Sequence, residues 1–221
     1  MREIVLDTET TGLDPGSGHR VVEIGCVELV NTIPSGREFH KYLNPQRFVP
    51  VAAQAVHGLT DEFLKDKALF ADVAQEFLDF IDGARVIAHN AEFDIGFINS
   101  ELARIDRPPV AADVIDTVRL ARRRFPGAPA NLDALCERFG IDKSARTKHG
   151  ALLDAQLLAE VYLELSGGRQ PDLALAVAAT TTTVVIQREL RPARPHAASP
   201  EELAAHAAFL AKIKEPIWLA A

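Results

Sequence analysis

The order of the apolar patterns along the chain constrains the fold more than any other feature. Three strand patterns come first, at residues 2–6, 20–30 and 39–43, with residues 31–36 predicted to form the turn between the last two. Helical spacing then alternates with short strand patterns, in the order helix 51–56, helix 69–81, strand 85–88, helix 89–102, strand 114–116, helix 132–139 and helix 151–165. This order predicts one α/β domain that opens with a β-meander and closes near residue 168.

The composition changes after that domain. Prolines and alanines crowd the segment, and four threonines occupy residues 180–183, which is typical of a linker. Only residues 201–213 have a helical pattern there, and Ser199 is predicted to cap that helix. We therefore divide the chain into a domain of residues 1–168 and a flexible, extended tail of residues 169–221.

Composition excludes several classes of protein. The two cysteines make no disulfide framework, and the N-terminus lacks the basic and apolar segments of a secretion signal. No run approaches the roughly 18 apolar residues that a membrane span requires. We expect a cytoplasmic protein without membrane contact. The net charge of −7 argues against a nucleic-acid partner, unless carboxylates gather around divalent cations and reverse the local sign.

Four carboxylates could gather in this way. The first strand pattern leads into polar residues expected to form an exposed turn, where Asp7 and Glu9, two apart, leave the same face and repel each other unless a cation lies between them. Asp94 lies in the first turn of a predicted helix, and Asp154 lies among apolar residues, where an unpaired carboxylate is costly. His149 precedes that last helix on a loop. Taken singly, these residues are also explained by a solvated turn, a helix cap and a surface loop.

The segments that carry these residues are similar to those of a known family. They are Asp7-Thr8-Glu9-Thr10-Thr11-Gly12, His89-Asn90-Ala91-Glu92-Phe93-Asp94 and His149-Gly150-Ala151-Leu152-Leu153-Asp154. In order and spacing they resemble the three motifs of the DEDDh family of 3′–5′ exonucleases, and most closely its branch that proofreads for bacterial replicases. The resemblance covers residues 2–168 densely. It implies a ribonuclease-H-like fold, in which helices flank a mixed sheet.

The resemblance also implies a role for each acidic residue. Asp7 would bridge two divalent metal ions, Glu9 and Asp154 would bind the first, and Asp94 would bind the second, partly through water. Oxygen ligands favour Mg²⁺ or Mn²⁺, and two such ions can clamp both reacting oxygens of a phosphoryl transfer. His149 would be the general base that takes a proton from the attacking water.

The same resemblance places a substrate pocket beside these ligands. Thr10, Gly12, Leu13, His57 and Phe93 would line the site of the 3′-terminal nucleotide of a single-stranded DNA end. A stacked base gains about 1–3 kcal/mol without being read for sequence, which suits a proofreader. Phe93 could equally be a core residue beside a helix start.

Two segments of the tail suggest partners. Gln170, Leu173 and Leu175 resemble the short peptides that dock on the bacterial sliding clamp (beta), although such short motifs also arise by chance. Trp218 is the only tryptophan and would either fold back or anchor a partner, since tryptophan is enriched in interface hot spots. The family resemblance favours the catalytic (alpha) subunit of the polymerase as that partner.

These observations together predict an enzyme. It would be a metal-dependent exonuclease that hydrolyses the 3′-terminal phosphodiester of mismatched DNA within a bacterial replicase. Two alternatives stay open: a stand-alone relative that trims RNA or short oligonucleotides, and an inactive scaffold that joins replication proteins. The long tail favours the first interpretation over the stand-alone enzyme, which has little need of a partner-binding extension.

Overall fold

A computed structural model describes residues 1–146, 148–168 and 197–214 of the chain. Gln170, Leu173, Leu175 and Trp218 lie outside the described residues, so the predictions for the clamp and polymerase contacts stay predictions. The same holds for the predicted boundary of the tail.

Five strands form one mixed sheet. Their bounds are Arg2–Thr10 (β1), Val21–Val30 (β2), Ile33–Tyr42 (β3), Arg85–Ala88 (β4) and Val114–Asp116 (β5). The spatial order is β3-β2-β1-β4-β5. β1, β2 and β3 are antiparallel neighbours, whereas β4 pairs parallel with β1 and β5 pairs parallel with β4. This sheet confirms the predicted meander and the predicted α/β class.

Helices follow the meander and separate the parallel strands. They are Val51–His57 (α1), Asp61–Leu64 (α2), Phe70–Ile81 (α3), Ala91–Arg104 (α4), Thr117–Arg124 (α5), Leu132–Phe139 (α6), Ala151–Leu165 (α7) and Pro200–Leu210 (α8). The sequence pattern predicts six of them and omits α2 and α5. α2 has only four residues, and α5 carries too few apolar residues to show a helical stripe. No helix in the described parts of the chain is long and apolar enough to cross a membrane.

α8 belongs to a separate unit of the chain and is described by itself. It begins as predicted: the Ser199 hydroxyl accepts a hydrogen bond from the Glu202 N–H, and the Glu202 carboxylate accepts one from the Ser199 N–H. This reciprocal capping satisfies two donors that a helix start leaves unpaired. The helix ends at Leu210, three residues before the predicted end at residue 213.

The exposed turn predicted after residue 6 is wrong. β1 continues through Thr10, with Asp7 paired to Gly25 and Glu9 paired to Glu23 on β2. Thr8, Glu9 and Thr10 are buried. Polar residues can continue a buried strand here because they face a pocket at the end of the sheet, a situation that apolar periodicity does not reveal.

The turn between β2 and β3 also differs from the prediction. Asn31 and Thr32 make it, with positive φ angles of 53° and 67°. Pro34, Ser35 and Gly36 belong to β3 instead. β3 is an edge strand, where a proline without an N–H is tolerated.

Alternate side chains of β1 pack in two different hydrophobic clusters, one on each face of the sheet. Ile4 and Leu6 pack in the cluster that contains Phe77 of α3 and Phe97 of α4, whereas Val5 packs in the cluster of α6 and α7. Asp7 and Glu9 continue the row of Val5 toward α7, and Thr8 continues the row of Leu6 toward α4. The end of β1 therefore presents side chains to both helices.

A glycine allows α7 to approach the sheet closely. A Cβ atom on Gly25 would lie 2.2 Å from the backbone nitrogen of Leu152 and 2.3 Å from the carbonyl carbon of Ala151. Gly25 pairs with Asp7, so the first turn of α7 comes down beside the acidic end of β1. This contact brings Asp154 to the same place as Asp7.

Candidate active site

One cavity of about 690 Å³ lies at the end of β1. Its lining includes all ten residues predicted within the domain for catalysis, metal binding and substrate binding, namely Asp7, Glu9, Thr10, Gly12, Leu13, His57, Phe93, Asp94, His149 and Asp154. They come from β1, the β1–β2 loop, α1, α4 and α7 with its preceding loop. The structure therefore brings together residues that are up to 147 positions apart, from Asp7 to Asp154.

The carboxylates of β1 and α4 have abnormal proton affinities. Burial, followed by the negative charge of Asp154, raises the pKa of Glu9 to about 8. Burial also raises the pKa of Asp94 to about 7, although a hydrogen bond of 2.7 Å from the Thr8 hydroxyl opposes the shift. For Asp7, burial and the charge of Asp94 raise the pKa well above its usual range. These three carboxyl groups thus bind a proton more tightly than ordinary carboxyl groups do.

Asp94 is placed by an unusual helix start. Asn90, which precedes α4, has a left-handed backbone with φ 66°. Its N–H donates to Asp116 Oδ1 at 3.2 Å, and the same oxygen accepts from the Val118 N–H at 2.8 Å. Asp116 therefore caps α5 and ties the end of β5 to the start of α4, which is a structural role.

Asp154 has a cationic partner that the sequence pattern does not predict. Arg146 donates from Nε to Oδ1 at 2.5 Å and from Nη2 to Oδ2 at 2.7 Å. These bonds raise the pKa of the Arg146 guanidinium. The burial expected for Asp154 among apolar neighbours is confirmed, and that burial is itself the signal that a cation must lie nearby.

His149 stands on the loop before α7, as predicted, with 48% of its side chain exposed. Its Nδ1 lies 3.0 Å from Arg146 Nη2 and 3.4 Å from Asp154 Oδ2. One ligand atom each of Glu9, His149 and Asp154 lie within 4.8 Å of one another. This group is compact enough to surround a single ion.

His57 places a hydrogen-bond donor in the cavity wall. Its ring is buried, and Nδ1 accepts the Leu59 N–H at 3.0 Å, which assigns the proton of the neutral ring to Nε2. Nε2 is buried and has no hydrogen-bond partner among the described residues. Burial lowers the pKa of His57 and so favours the neutral ring. An unused N–H donor in a cavity is suited to an oxygen of a bound molecule.

The β1–β2 loop forms the opposite wall. Leu13 is 86% exposed at its tip, and a Cβ atom on Gly12 would lie 2.3 Å from the His19 ring. Arg20 fixes the end of the loop through two bonds of 2.7 Å to Glu101 of α4. His19, Arg20 and Glu101 support the pocket, yet no motif spacing in the sequence identifies them.

Phe93 is placed between the pocket and the core. It is half-buried, and its ring centroid lies 4.9 Å from that of Phe97. The ring contributes to the first core cluster and also lines the cavity. Both sequence-based interpretations of Phe93 therefore describe part of its position.

The donor set suits hard divalent cations. Five carboxylates line the cavity, Asp14 of the β1–β2 loop among them, and the three at its acidic end, Asp7, Glu9 and Asp94, form no ion pair with a cationic side chain in the described parts of the chain. Oxygen donors in this number favour Mg²⁺ or Mn²⁺ over softer metals. A divalent ion would also offset the burial and the mutual repulsion that raise these pKa values.

Comparisons with known proteins identify the family of the chain. A family model described as Exonuclease matches residues 4–162, which include every predicted metal ligand. DNA polymerase III subunit epsilon of Rickettsia felis is 48% identical over 222 residues, covering 96% of this chain and 97% of the relative. The Escherichia coli protein of the same name is 49% identical over 224 residues, covering 95% and 92%.

A solved structure shares the fold. It is described as Exonuclease X in complex with 5′ overhanging duplex DNA and is 26% identical, with a TM-score of 0.59. The match covers 73% of this chain and 89% of that chain.

Proposed function

The chain belongs to the exonuclease family, and we propose that it is the 3′–5′ proofreading exonuclease of a bacterial replicase. It would hydrolyse the 3′-terminal phosphodiester of mismatched DNA. The observation that carries the proposal is the cluster of four carboxylates and one histidine in a single cavity. The relatives named DNA polymerase III subunit epsilon, similar over nearly their whole length, support the placement in a replicase.

The acidic residues would hold the metal ions. In this proposal Asp7 binds both ions, Glu9 and Asp154 bind the first, and Asp94 binds the second. Two Mg²⁺ or Mn²⁺ ions bound there would stabilise the attacking and the leaving oxygen of an in-line displacement. The residues' own contribution is a set of oxygen ligands held close together by β1, α4 and α7.

His149 would handle the proton of the attacking water. Its ring lies at the exposed side of the carboxylate cluster, 3.4 Å from Asp154 Oδ2. An imidazole at this position can accept a proton from a nearby water and pass it to solvent.

The remaining pocket residues would hold the terminal nucleotide without reading its base. Leu13 and Phe93 offer apolar surfaces for stacking, and His57 Nε2 offers a donor to a sugar or phosphate oxygen. Thr10 shapes the wall by donating to the Gly12 carbonyl at 2.6 Å. A site built in this way accepts any frayed end, which is what removal of mismatches requires.

Partner contacts would come from the tail. We place the DNA polymerase III catalytic (alpha) subunit at Trp218 and the sliding clamp (beta) at Gln170, Leu173 and Leu175, on their sequence alone. A weak hold on DNA would then be compensated by the high local concentration that tethering provides. The enzyme would act where the replicase does, in the cytoplasm.

Digestion of a 3′-mismatched primer tests the proposal. With Mg²⁺, the full chain should release mononucleotides from the 3′ end, faster from mismatched than from matched primers, and the polymerase catalytic subunit should stimulate it. Asp7→Ala serves as the inactive control. Equal digestion of RNA without stimulation would favour a stand-alone trimming enzyme, and no metal-dependent hydrolysis at all would favour a scaffold.

A further inference from the structure

Arg146 connects two carboxylates that have different surroundings. Its Nε and Nη2 bond both oxygens of Asp154 in the cavity, at 2.5 and 2.7 Å. Its Nη1 lies 3.1 Å from both oxygens of Asp133 on α6. The Arg146 side chain is only 9% exposed, whereas that of Asp133 is 51% exposed. The guanidinium therefore has one partner inside the site and a second at the surface.

The inner partner sets Asp154 apart from the other carboxylates of the cavity. The Asp154 carboxylate is buried, and both of its oxygens accept charge-assisted hydrogen bonds from Arg146. Asp7, Glu9 and Asp94 make no such ion pair in the described parts of the chain. A divalent ion on Asp154 would stand close to a fixed positive charge, and two cations on one buried carboxylate repel each other strongly.

The same guanidinium engages the proposed general base. Arg146 Nη2 lies 3.0 Å from His149 Nδ1 and 3.5 Å from Nε2, so Nδ1 is its closer partner. A guanidinium can only donate, so Nδ1 accepts and the proton of the neutral ring lies on Nε2. With Nδ1 engaged and Nε2 protonated, the ring has no nitrogen available to take a proton from water.

On the basis of the proposed function, we propose that Arg146 is an internal counter-cation that competes with a divalent ion for Asp154. While it holds Asp154, it also keeps His149 engaged. An ion that binds Asp154 shifts the guanidinium toward Asp133, whose exposed carboxylate retains it, and so releases His149 Nδ1. Arg146 is thus a positioning residue that couples metal loading to the availability of the base.

Metal affinity provides the first test, because it does not depend on turnover. Mg²⁺ is titrated by calorimetry at pH 8.5 into the full wild-type chain and into Arg146→Ala. Removal of the competing charge should tighten Mg²⁺ binding by roughly 10-fold. Arg123→Ala is the matched control, because it removes an equal charge from the exposed side of α5, and it should leave the affinity unchanged.

The direction of the change in Mg²⁺ affinity distinguishes a competing Arg146 from one that only supports Asp154. Weaker or unchanged Mg²⁺ binding by a folded Arg146→Ala protein would overturn the inference, because Arg146 would then only brace Asp154 for the ion. Failure of the wild-type chain and of Arg146→Ala to bind Mg²⁺ would instead contradict the proposed function.

A second measurement keeps the test valid if Arg146→Ala does not fold. The Nε–H resonance of Arg146 in the wild-type chain is identified by its loss in Arg146→Lys and followed by NMR during Mg²⁺ addition. Loss of the bond to Asp154 should shift this resonance and speed its exchange with water. A resonance that stays unchanged at saturating Mg²⁺ would show that the guanidinium does not leave Asp154.

Discussion

The sheet and its helices carry two groups of buried carboxylates. One group is paired with arginine side chains, whereas the members of the other lie beside one another. Glu28 on β2 accepts bonds from Arg2 at 2.5 Å, Ser35 at 2.7 Å and Arg37 at 2.9 Å. The Ser35 and Arg2 bonds hold the pKa of Glu28 below its usual value. Glu9 on β1 is also buried, but burial and the charge of Asp154 raise its pKa to about 8.

This difference shows which buried carboxylates receive a cationic side chain from the fold itself. Glu28 and Glu101 are each paired with an arginine of the fold, which offsets their negative charge. Asp7, Glu9 and Asp94 are grouped with one another instead, an arrangement that costs folding energy and is typical of functional sites. In the proposed function their cations are metal ions that come from outside. Asp154 combines both conditions, because Arg146 holds it within the acidic cluster.

The largest effect is expected at Asp7. Asp7→Ala should lower exonuclease activity by several orders of magnitude, because it removes the proposed ligand of both ions. It should also raise the melting temperature in EDTA, since it relieves repulsion among the carboxylates. Primer digestion and thermal melting check the two effects. Glu28→Gln is the matched control, and it should lose stability yet keep its activity per folded molecule. If Asp7→Ala kept wild-type activity, the proposed difference in role between the arginine-paired carboxylates and those of the cavity would be wrong.

The next largest effect concerns His149. His149→Ala should lower the rate by roughly 10²- to 10⁴-fold, as is typical of a missing general base. Its affinity for Mg²⁺ should stay near that of the wild type, because the proposal leaves metal binding to the carboxylates. Calorimetry decides between roles: a collapse of Mg²⁺ binding would make His149 a ligand, which its position within 4.8 Å of Glu9 and Asp154 would permit.

The paired group should respond in stability. Glu101→Ala leaves Arg20 buried without its partner and should cost about 3–5 kcal/mol of unfolding free energy, measured by urea denaturation. The folded fraction should bind Mg²⁺ normally, since Glu101 is outside the metal cluster. The double variant Arg20→Met with Glu101→Leu should recover much of the loss. A cost below about 1 kcal/mol would mean that this pair is no more than a surface salt bridge.

The most gradual effect is a pH dependence of stability in EDTA, which is spread over several pH units. Folding raises the pKa of Glu9 from 4.5 to about 8 and that of Asp94 from 3.8 to about 7. These groups favour the folded state fully below their unfolded pKa values, and the contribution is lost as the pH rises through the folded ones. The melting temperature should therefore fall by several degrees between about pH 5 and pH 9. Glu9→Gln should make this decrease in melting temperature less steep. Identical curves of melting temperature against pH for the wild-type and Glu9→Gln proteins would contradict the raised pKa of Glu9.

Much of the fold follows from apolar spacing. The meander, the parallel strands and α7 are all readable because their core residues repeat with strand or helix periodicity. α5 is missed because its sequence, TVRLARRR, is mostly polar and its burial rests on Thr117 and Ala121. The end of β1 is missed because its buried residues are polar.

The ligands and the base are predictable because they lie in contiguous motifs. Asp94 and Asp154 follow predicted strands and loops at fixed spacing, so a resemblance can locate them. Arg146 cannot be found in this way, since it reaches Asp154 across an irregular loop and helix start, eight residues away. The Arg20–Glu101 pair spans 81 residues, and only the tertiary fold brings it together.

The central claim is that the carboxylates of the cavity bind divalent cations. Proton release on metal binding tests this claim most directly. At pH 7, Glu9 with a pKa of about 8 is mostly protonated and Asp94 with a pKa of about 7 is half protonated. Mg²⁺ is titrated into the wild-type chain by calorimetry in buffers of different ionisation enthalpy. We predict release of at least about one proton per protein, because the ligands must ionise to bind the ion. Binding without proton release, or equal Mg²⁺ affinity in Asp7→Ala, would contradict the account.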